Sequence, residues 1–231
     1  MSVLNKKLRR NLLQSKGMLC AIIALIAVGI SFLIGMSGTY NNLNNSKSNY
    51  YSKCRMADFW IDFKKAPTAD IERILKETKG ISEIRNRIVY PAMIDLKNIN
   101  KPLSATVISL PEKNTPTINN IYLKSGSYFT PNRKNEVIVS YRFAKTRNLR
   151  PGSYISIIIK GQKKKLYVVG TAISSEYIYM VPPGSICPNT EDYGIFWVKN
   201  QFAQDTLGYN GTCNNIVGLF SRDNKYNKTI F

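Results

Sequence analysis

The chain has few side chains of the types that catalyse reactions or bind metals, and their spacing does not combine them. None of its 231 residues is histidine, which excludes a histidine-ligated metal, a Ser-His-Asp triad and a Cys-His pair. Carboxylates that could pair, such as Glu191-Asp192 near Cys187, lie in a loop rich in proline, glycine and asparagine, which indicates a solvated loop rather than a catalytic dyad. Phosphate-binding, dinucleotide-binding, G-x-S-x-G and calcium-loop motifs are absent from the sequence. We therefore predict no catalytic residue, no cofactor, no metal site and no enzyme activity.

The cysteines allow one disulfide. Cys20 lies in an apolar run, Cys54 lies at the entry to the folded domain, and Cys187 and Cys213 both lie in its second half. In an extracytoplasmic domain, where disulfides persist, the last two are the better pair. Closing their loop of roughly 25 residues would stabilise the fold by about 3 kcal/mol. Spacing does not show whether the two Cα atoms come within bridging range, so this disulfide is a prediction only.

One apolar stretch is long enough to cross a membrane. Residues 17–36 carry no charge, and a helix of that length roughly matches a 30 Å hydrocarbon core. The alternatives are a signal peptide, whose apolar region is usually shorter, and a buried core helix. The first cation after the run is Lys47, whereas five precede it: Lys6, Lys7, Arg9, Arg10 and Lys16. We predict a transmembrane helix with the N terminus in the cytoplasm and residues 37–231 outside.

The chain is strongly basic. Its net charge is +19, from 33 basic and 14 acidic residues, and the part beyond residue 36 holds 28 of the former and all 14 of the latter, or +14. Such an excess can indicate nucleic-acid binding, but behind a membrane anchor it fits anionic headgroups or cell-envelope polymers better. The cations are scattered, with the densest cluster at Lys163-Lys164-Lys165, and a generally basic proteome would give the same excess. We expect a lipid bilayer as a partner and no nucleic acid.

Four segments follow from these patterns. Residues 1–16 form a basic cytoplasmic segment that resembles an interfacial amphipathic helix, although a frayed basic tail also fits. Residues 17–36 form the span, residues 37–56 form a linker or a helical stalk, and residues 57–231 form one extracytoplasmic domain. The apolar face of the first segment would consist of Leu4, Leu8, Leu12 and Leu13.

Strand and helix patterns are interspersed along the domain. Pro67-Thr68 opens a helix that Gly80 ends, and Ser140 is placed to cap a helix at 141–147. Pro91 indicates a break or an edge position. Strands are predicted at 57–63, 83–90, 92–96, 103–110, 136–139, 154–160, 164–169 and 215–220, with a further helix at 201–207. This order predicts an α+β (mixed α/β) domain rather than a sandwich.

Several short motifs also follow one another in a specific order. A basic segment, an apolar span and a polar stretch ending at Tyr50-Tyr51 precede Ala57-Asp58-Phe59-Trp60. A strand, a helix, a glycine-bearing turn and the end of a hairpin then occur at Asn135-Glu136-Val137-Ile138-Val139-Ser140, Phe143-Ala144-Lys145, Leu149-Arg150-Pro151-Gly152-Ser153 and Val168-Val169-Gly170. In this order the chain resembles the N-terminal part of FtsX-like, MacB-like permeases of the ABC transporter superfamily. Two later motifs, Ser175-Glu176-Tyr177-Ile178-Tyr179 and Pro182-Pro183-Gly184-Ser185, resemble a branch of long permeases with two such domains.

The resemblance implies a MacB-like periplasmic core domain behind the first span. In such families a separate cytoplasmic ATPase drives the permease, and the outer domain transmits motion to a substrate or partner. The implied partners are that ATPase and the remaining permease spans or a second permease copy, in the cytoplasmic membrane of a bacterium. Because the family continues beyond the strand at 215–220, we expect the domain to lack its C-terminal end. A stand-alone anchored module that binds anionic lipid or envelope polymers is the alternative.

Overall fold

The computed structural model describes Val3, Lys7, Arg10, Asn11 and residues 14–96 and 101–221. It divides the chain into two compact units, Met1–Tyr50 and Tyr51–Phe231. The predicted apolar face of Leu4, Leu8, Leu12 and Leu13 lies outside the described residues.

A long helix, α1, runs over Lys16–Cys54. Its most apolar 18-residue window has a mean hydropathy of 2.7, and none of that window is buried within the protein. Among the described residues, α1 is the one helix long and apolar enough to cross a membrane. The polar stretch after Met36 continues the same helix, so residues 37–54 are helical and do not form an irregular linker.

The smaller of two sheets has three antiparallel strands, β1 (Phe59–Pro67), β2 (Ile81–Arg87) and β10 (Thr212–Phe220), with β10 in the middle. Helix α2 (Thr68–Glu77) connects β1 to β2 and packs against both. The apolar side chains of α2 recur at helical spacing, and those of β1 at alternate positions, so the two faces meet. A cavity of 300 Å³ remains between them.

The larger sheet contains seven strands: β3 (Val89–Asp95), β4 (Leu103–Leu110), β5 (Ile121–Gly126), β6 (Glu136–Ser140), β7 (Tyr154–Ile159), β8 (Gln162–Ser174) and β9 (Tyr193–Lys199). Their order in the sheet is β5-β8-β6-β9-β4-β3-β7. Because β7 also pairs with β8, six of these strands form a closed ring of backbone ladders, and β5 pairs with the second half of β8. The β4–β9 and β6–β8 ladders are parallel, and the others are antiparallel.

The main core belongs to the larger sheet. Strand β7 buries every second side chain, Ile155, Ile157 and Ile159, as expected for a strand with one covered face. Strand β9 is buried along its whole length because it lies between β6 and β4 and contacts two helices, α3 (Tyr141–Thr146), which follows β6, and α4 (Asn200–Leu207), which follows β9 itself. The predicted α+β (mixed α/β) class is confirmed.

The chain passes from the smaller sheet to the larger one at a single residue, Ile88, between β2 and β3. Ile88 is 1% exposed, its N–H donates to Oγ of Ser109 at 2.9 Å, and its carbonyl oxygen accepts from the Ser109 N–H at 2.9 Å. The strand predicted at 83–90 was therefore wrong in its boundary, because the chain changes sheets at Ile88. Pro91 lies inside β3 opposite Thr106, so the strand does not break there. Strand β3 lies between β4 and β7, and its ladder with β7 covers only Met93 to Asp95, so Pro91 has a ladder partner on one side.

One further local prediction was wrong, and two strands were missed. Ser140 precedes α3 but does not cap it, and its Oγ instead accepts from the Ile195 N–H at 3.1 Å. The Ser140 hydroxyl is thus bonded to a buried N–H group of β9 and does not accept from the N–H groups at the start of α3. Strands β5 and β9 were not predicted, because β5 is short and ends in Ser-Gly, and β9 is buried on both faces without alternation.

Candidate functional site

Helix α1 ends against the turn that precedes β5. Arg55 follows it in the left-handed region at φ 47°, and the last carbonyl groups of a helix have no partner within the helix. Here the carbonyl oxygens of Cys54 and Arg55 accept hydrogen bonds from the N–H groups of Asn120 at 2.7 Å and Asn119 at 2.9 Å. The main chain of a distant turn thus completes the hydrogen bonding of the helix end.

Asn119 extends this contact through its side chain. It is 3% exposed, and its φ of 51° is one that asparagine adopts more readily than most residues. Its Oδ1 accepts from the Ala57 N–H at 2.7 Å, and its Nδ2 donates to Oε2 of Glu176 at 2.9 Å. One side chain therefore links the segment after α1 to the segment after β8.

The Glu176 carboxylate accepts hydrogen bonds from three side chains. Arg87 donates through Nη1 to Oε2 at 2.6 Å and through Nη2 to Oε1, and Trp60 donates through Nε1 to Oε1 at 3.0 Å. Asn119 is the third donor. The side chains of Arg87 and Glu176 are 3% and 11% exposed, and such a bidentate pair is among the strong hydrogen-bonded contacts in proteins. Burial opposes the charge of Arg87, but the hydrogen bond and charge of Glu176 outweigh it and raise the pKa of Arg87.

Arg87 also connects the strands of the smaller sheet. Its Nε donates to Oδ1 of Asn215 in β10, and Nδ2 of Asn215 donates to Oδ1 of Asp62 in β1. We name the set Trp60, Arg87, Asn119, Glu176 and Asn215 the polar junction. It joins the segment after α1 to all three strands of the smaller sheet and to the end of β8 in the larger one.

A second buried cation lies beside the polar junction. Arg85 donates through Nη1 to the carbonyl oxygen of Ile118 and through Nη2 to that of Ser109, both at 2.7 Å, and it has no carboxylate partner within the described part of the chain. Burial lowers the pKa of Arg85 to about 10, with a further contribution from Arg87, so the group is still charged at neutral pH. Glu176 forms the ion pair with Arg87, and its charge also favours the charged form of Arg85. Loss of Glu176 would therefore leave the buried Arg87 without its ion-pair partner.

This geometry positions protein segments and does not favour acid–base chemistry. Both oxygens of Glu176 are engaged by donors, so neither is directed at an open site. Over residues 14–96 and 101–221, no cluster of three or more possible metal ligands occurs. The arrangement can transmit a displacement between the end of α1 and the two sheets, since each segment is joined to the next by short polar contacts.

The two cysteines that the sequence suggested as a pair differ in burial. Cys187 is exposed in the loop between β8 and β9, whereas Cys213 is buried in β10 opposite Ala66. Both are present as thiols, and the disulfide stays a prediction. Burial raises the pKa of Cys213, and the hydrogen bond with Thr68 opposes that effect.

Glu191 and Asp192, in the same loop, take part in contacts with Arg147. Asp192 forms an ion pair with Arg147 at 2.8 Å, and its N–H donates to Oδ1 of Asn189 at 2.9 Å. Glu191 is exposed, and its carbonyl oxygen accepts from Nε of Arg147 at 2.9 Å. These contacts fix the start of β9 to the end of α3.

Three of the motifs that carried the family resemblance line one cleft of 830 Å³. Glu136 begins β6, Gly152 lies in the turn before β7, and Val168 and Val169 lie in β8, far apart in sequence but side by side here. On one edge of β8 the β7 ladder stops at Tyr167 and the β5 ladder starts at Gly170, which leaves the gap that forms the cleft. We name it the motif cleft; its wall includes Gly126, Arg133, Glu136, Gly152, Tyr167 and Val168.

Sequence reasoning missed most of the polar junction. Arg87 and Asn119 carried no motif, and Glu176 was noted only as one letter of a degenerate pattern. Asn119-Asn120 before a strand is a turn signal, but nothing local shows that the turn meets the end of α1, which is far away in the sequence. Buried ion pairs depend on contacts between segments, which a single sequence does not display.

The chain therefore combines a helix suited to a membrane with a mixed α/β domain whose buried polar contacts join the helix end to two sheets. The family model of the MacB-like periplasmic core domain matches residues 20–211. The chain belongs to that family, a domain of ABC transporter permeases.

Two solved structures match the chain. The extracellular domain of the noncanonic ABC-type transporter YknZ from Gram-positive bacteria is 16% identical, with a TM-score of 0.45 over 71% of this chain and 83% of that one. The periplasmic region of MacB from Actinobacillus actinomycetemcomitans is 11% identical, with a TM-score of 0.44 over 72% of this chain and 75% of that one. The sequence matches no curated protein.

Proposed function

We propose that the chain is the N-terminal part of an ABC transporter permease subunit whose outer domain couples a separate cytoplasmic ATPase to an extracytoplasmic substrate or partner. Family membership supports the permease assignment. The observation that carries the coupling role is the Glu176 carboxylate, which receives hydrogen bonds from Asn119, Arg87 and Trp60. The role is mechanical and requires no catalytic group in this chain.

The coupling follows from the order of contacts in the polar junction. A displacement at the end of α1 moves the Arg55 and Ala57 main chain, and both are hydrogen-bonded to Asn119. Asn119 passes the displacement to Glu176, and Glu176 passes it to Arg87 in the smaller sheet. Buried charge pairs tolerate little separation, because a charge left unpaired in the interior is costly. The segments therefore move together.

The proposed setting is the cytoplasmic membrane of a bacterium, with the N terminus inside and the domain outside. The length and apolar character of α1 support the membrane anchor, and the cations before residue 17 support the orientation. One helix cannot enclose a transport path, so the remaining permease spans or a second permease copy complete the assembly. ATP hydrolysis is assigned to a partner, because the sequence contains no phosphate-binding loop.

The test is coupled transport by the full chain, assembled in lipid vesicles with a cytoplasmic ABC ATPase and a fragment that supplies the remaining permease spans. We expect Asn119→Gly and Glu176→Gln to reduce the substrate moved per ATP hydrolysed. Glu191→Gln removes an exposed carboxylate of the same domain and serves as the matched control. Unchanged transport per ATP in a folded Asn119→Gly variant, with the same assembly, would contradict the coupling role.

A second candidate is an anchored module that binds anionic lipid or cell-envelope polymers, and the +14 charge beyond residue 36 favours it. Such a module would bind anionic vesicles or polymer through scattered cations, with strong dependence on salt. It would not alter the activity of any ATPase. Salt-sensitive binding together with no effect on a co-assembled ATPase would favour the module over the permease.

A further inference from the structure

Two buried charged side chains, Lys199 and Glu136, fix the loop that places Arg133 at the motif cleft. Lys199 and Glu136, with side chains 5% and 1% exposed, form a buried ion pair at 3.3 Å. Nζ of Lys199 donates to the carbonyl oxygens of Thr130 and Arg133, at the two ends of the loop. The Glu136 carboxylate accepts from the N–H of Thr130 at 2.7 Å and from its hydroxyl at 2.6 Å. The backbone under Arg133 is therefore fixed by buried charged groups.

The Arg133 side chain is held against an aromatic ring. Its guanidinium carbon lies 3.9 Å from the centroid of the Tyr167 ring, a stacked arrangement. Stacking uses the face of the guanidinium and leaves its N–H edge available. Among the described residues, no carboxylate or carbonyl accepts a hydrogen bond from the Arg133 side chain, although it lines a cleft of 830 Å³. Because Lys199 already neutralises Glu136, Arg133 gives the cleft wall a net positive charge.

The rest of the wall suits a small amphiphilic molecule. Ser127 and Asn132 are exposed polar residues on the wall, and across the described chain no group is hydrogen-bonded to either side chain. Pro151 and Tyr167 supply apolar surface beside them. An apolar wall with a few convergent polar groups is typical of ligand sites, and the volume lies within their usual range of about 300–1,000 Å³.

We propose that the motif cleft binds a small amphiphilic carboxylate of the size of a short peptide, with Arg133 as the group that pairs with the carboxylate. The guanidinium edge matches a carboxylate in a bidentate arrangement. One carboxylate neutralises one guanidinium, whereas a phosphate monoester with about two negative charges at neutral pH would keep part of its charge uncompensated here. The site extends beyond the coupling role and does not depend on it, because it uses none of the residues of the polar junction.

The experiment uses the full chain in lipid nanodiscs and a set of N-acetylated dipeptides and tripeptides with apolar side chains. Each peptide is tested with a free C-terminal carboxylate and as its carboxamide, by isothermal titration calorimetry. We expect at least one free acid to bind saturably, and its carboxamide to bind about tenfold or more weakly. Arg133→Gln should weaken the free acid by the same factor. Lys134→Gln makes the same charge change at the adjacent exposed residue and should leave the affinity unchanged.

The outcomes separate the possible anions. Saturable binding of the free acid that depends on Arg133 and not on Lys134 supports the site. Equal binding of acid and carboxamide, equal effects of the two substitutions, or no saturable binding by any free acid at millimolar concentration overturns it. Stronger displacement of the peptide by inorganic phosphate than by acetate also overturns it, since that result assigns the cleft to phosphate. Arg133 is exposed, so its substitution should leave the thermal unfolding midpoint unchanged and the binding result interpretable.

Discussion

Nδ2 of Asn119 donates a hydrogen bond to Oε2 of Glu176 at 2.9 Å, across 57 positions of sequence. The same asparagine accepts a hydrogen bond from the Ala57 N–H at 2.7 Å. Its side chain therefore joins the Ala57 main chain to the Glu176 carboxylate, and no other side chain among the described residues hydrogen-bonds to both. The position is demanding, because the backbone must adopt φ 51° and the amide must satisfy a donor and an acceptor at once. The polar junction depends on this geometry.

Glu176→Gln should destabilise the domain strongly. The amide is neutral, so it would leave the buried Arg87 without its ion-pair partner, and breaking a buried ion pair from one side typically costs about 3–5 kcal/mol. The measurement is urea unfolding of the full chain in detergent, followed by tryptophan fluorescence. Glu191→Gln, at an exposed position, should change the free energy of unfolding by less than about 0.5 kcal/mol. Equal effects of the two substitutions would show that the buried pair has no special weight.

At position 119, alanine should be worse than glycine. Both substitutions remove the bridging amide and leave the Ala57 N–H without its acceptor, at a cost of about 1–3 kcal/mol. Alanine also has to adopt φ 51°, which adds about 1 kcal/mol or more that glycine avoids. The comparison is the unfolding midpoint of Asn119→Ala against Asn119→Gly. A more stable alanine variant would mean that the left-handed conformation does not persist in solution.

Gly126 and Gly161 allow a matched test of the motif cleft. Both have positive φ, 77° and 73°, but a Cβ at Gly126 would lie 2.2 Å from the carbonyl oxygen of Val169, while one at Gly161 meets nothing within 4 Å. Gly161→Ala should therefore cost only the conformational strain, about 1–2 kcal/mol. Gly126→Ala should cost about 1–3 kcal/mol more, because the β5 and β8 main chains must separate. Thermal unfolding of the two variants decides the point, and similar midpoints would exclude a tight approach there.

The cysteines give a test of both orientation and burial. With the domain outside, Cys187 should react with a membrane-impermeant maleimide on intact spheroplasts, because it is exposed. Cys213 should react only after unfolding, since it is buried in β10 and burial raises the pKa of its thiol, which keeps it protonated. Cys187→Ser identifies the labelled site. Labelling of Cys187 only after lysis would contradict the orientation, and protection of both until reductant is added would support the Cys187–Cys213 disulfide.

Stability should fall at alkaline pH. Burial raises the pKa of Tyr128 to about 12, and its hydroxyl donates to the carbonyl oxygen of Pro111 at 2.8 Å. An unfolded tyrosine titrates near about 10, so between these values the unfolded chain loses the proton first and gains stability relative to the folded state. Tyr128 is partly exposed, so its share is modest. Urea midpoints at pH 8 and above pH 10 should differ less in Tyr128→Phe than in the wild type, and an identical pH dependence would show that Tyr128 titrates normally.

Much of the architecture followed from the sequence because it depends on local or periodic patterns. The apolar run at 17–36 predicts a spanning helix by length and composition alone, and the element order predicts a mixed α/β domain. The order of short motifs, such as the turn at Gly152 and the strand ending at Gly170, also sufficed to indicate the family. Each of these features is a property of neighbouring residues, so no knowledge of distant contacts is needed.

The tertiary structure alone decided which distant polar groups meet. Arg87 and Glu176 are 89 positions apart, and either could equally have been a solvated surface charge, because a charged residue in a strand carries no mark of the partner that buries it. The same holds for Ser140, whose hydroxyl accepts from Ile195 and does not cap its own helix, and for Arg133, whose guanidinium lies over the ring of Tyr167 in β8. These contacts arise from the packing of sheets and helix ends, where the cost of an unpaired buried group selects the partner.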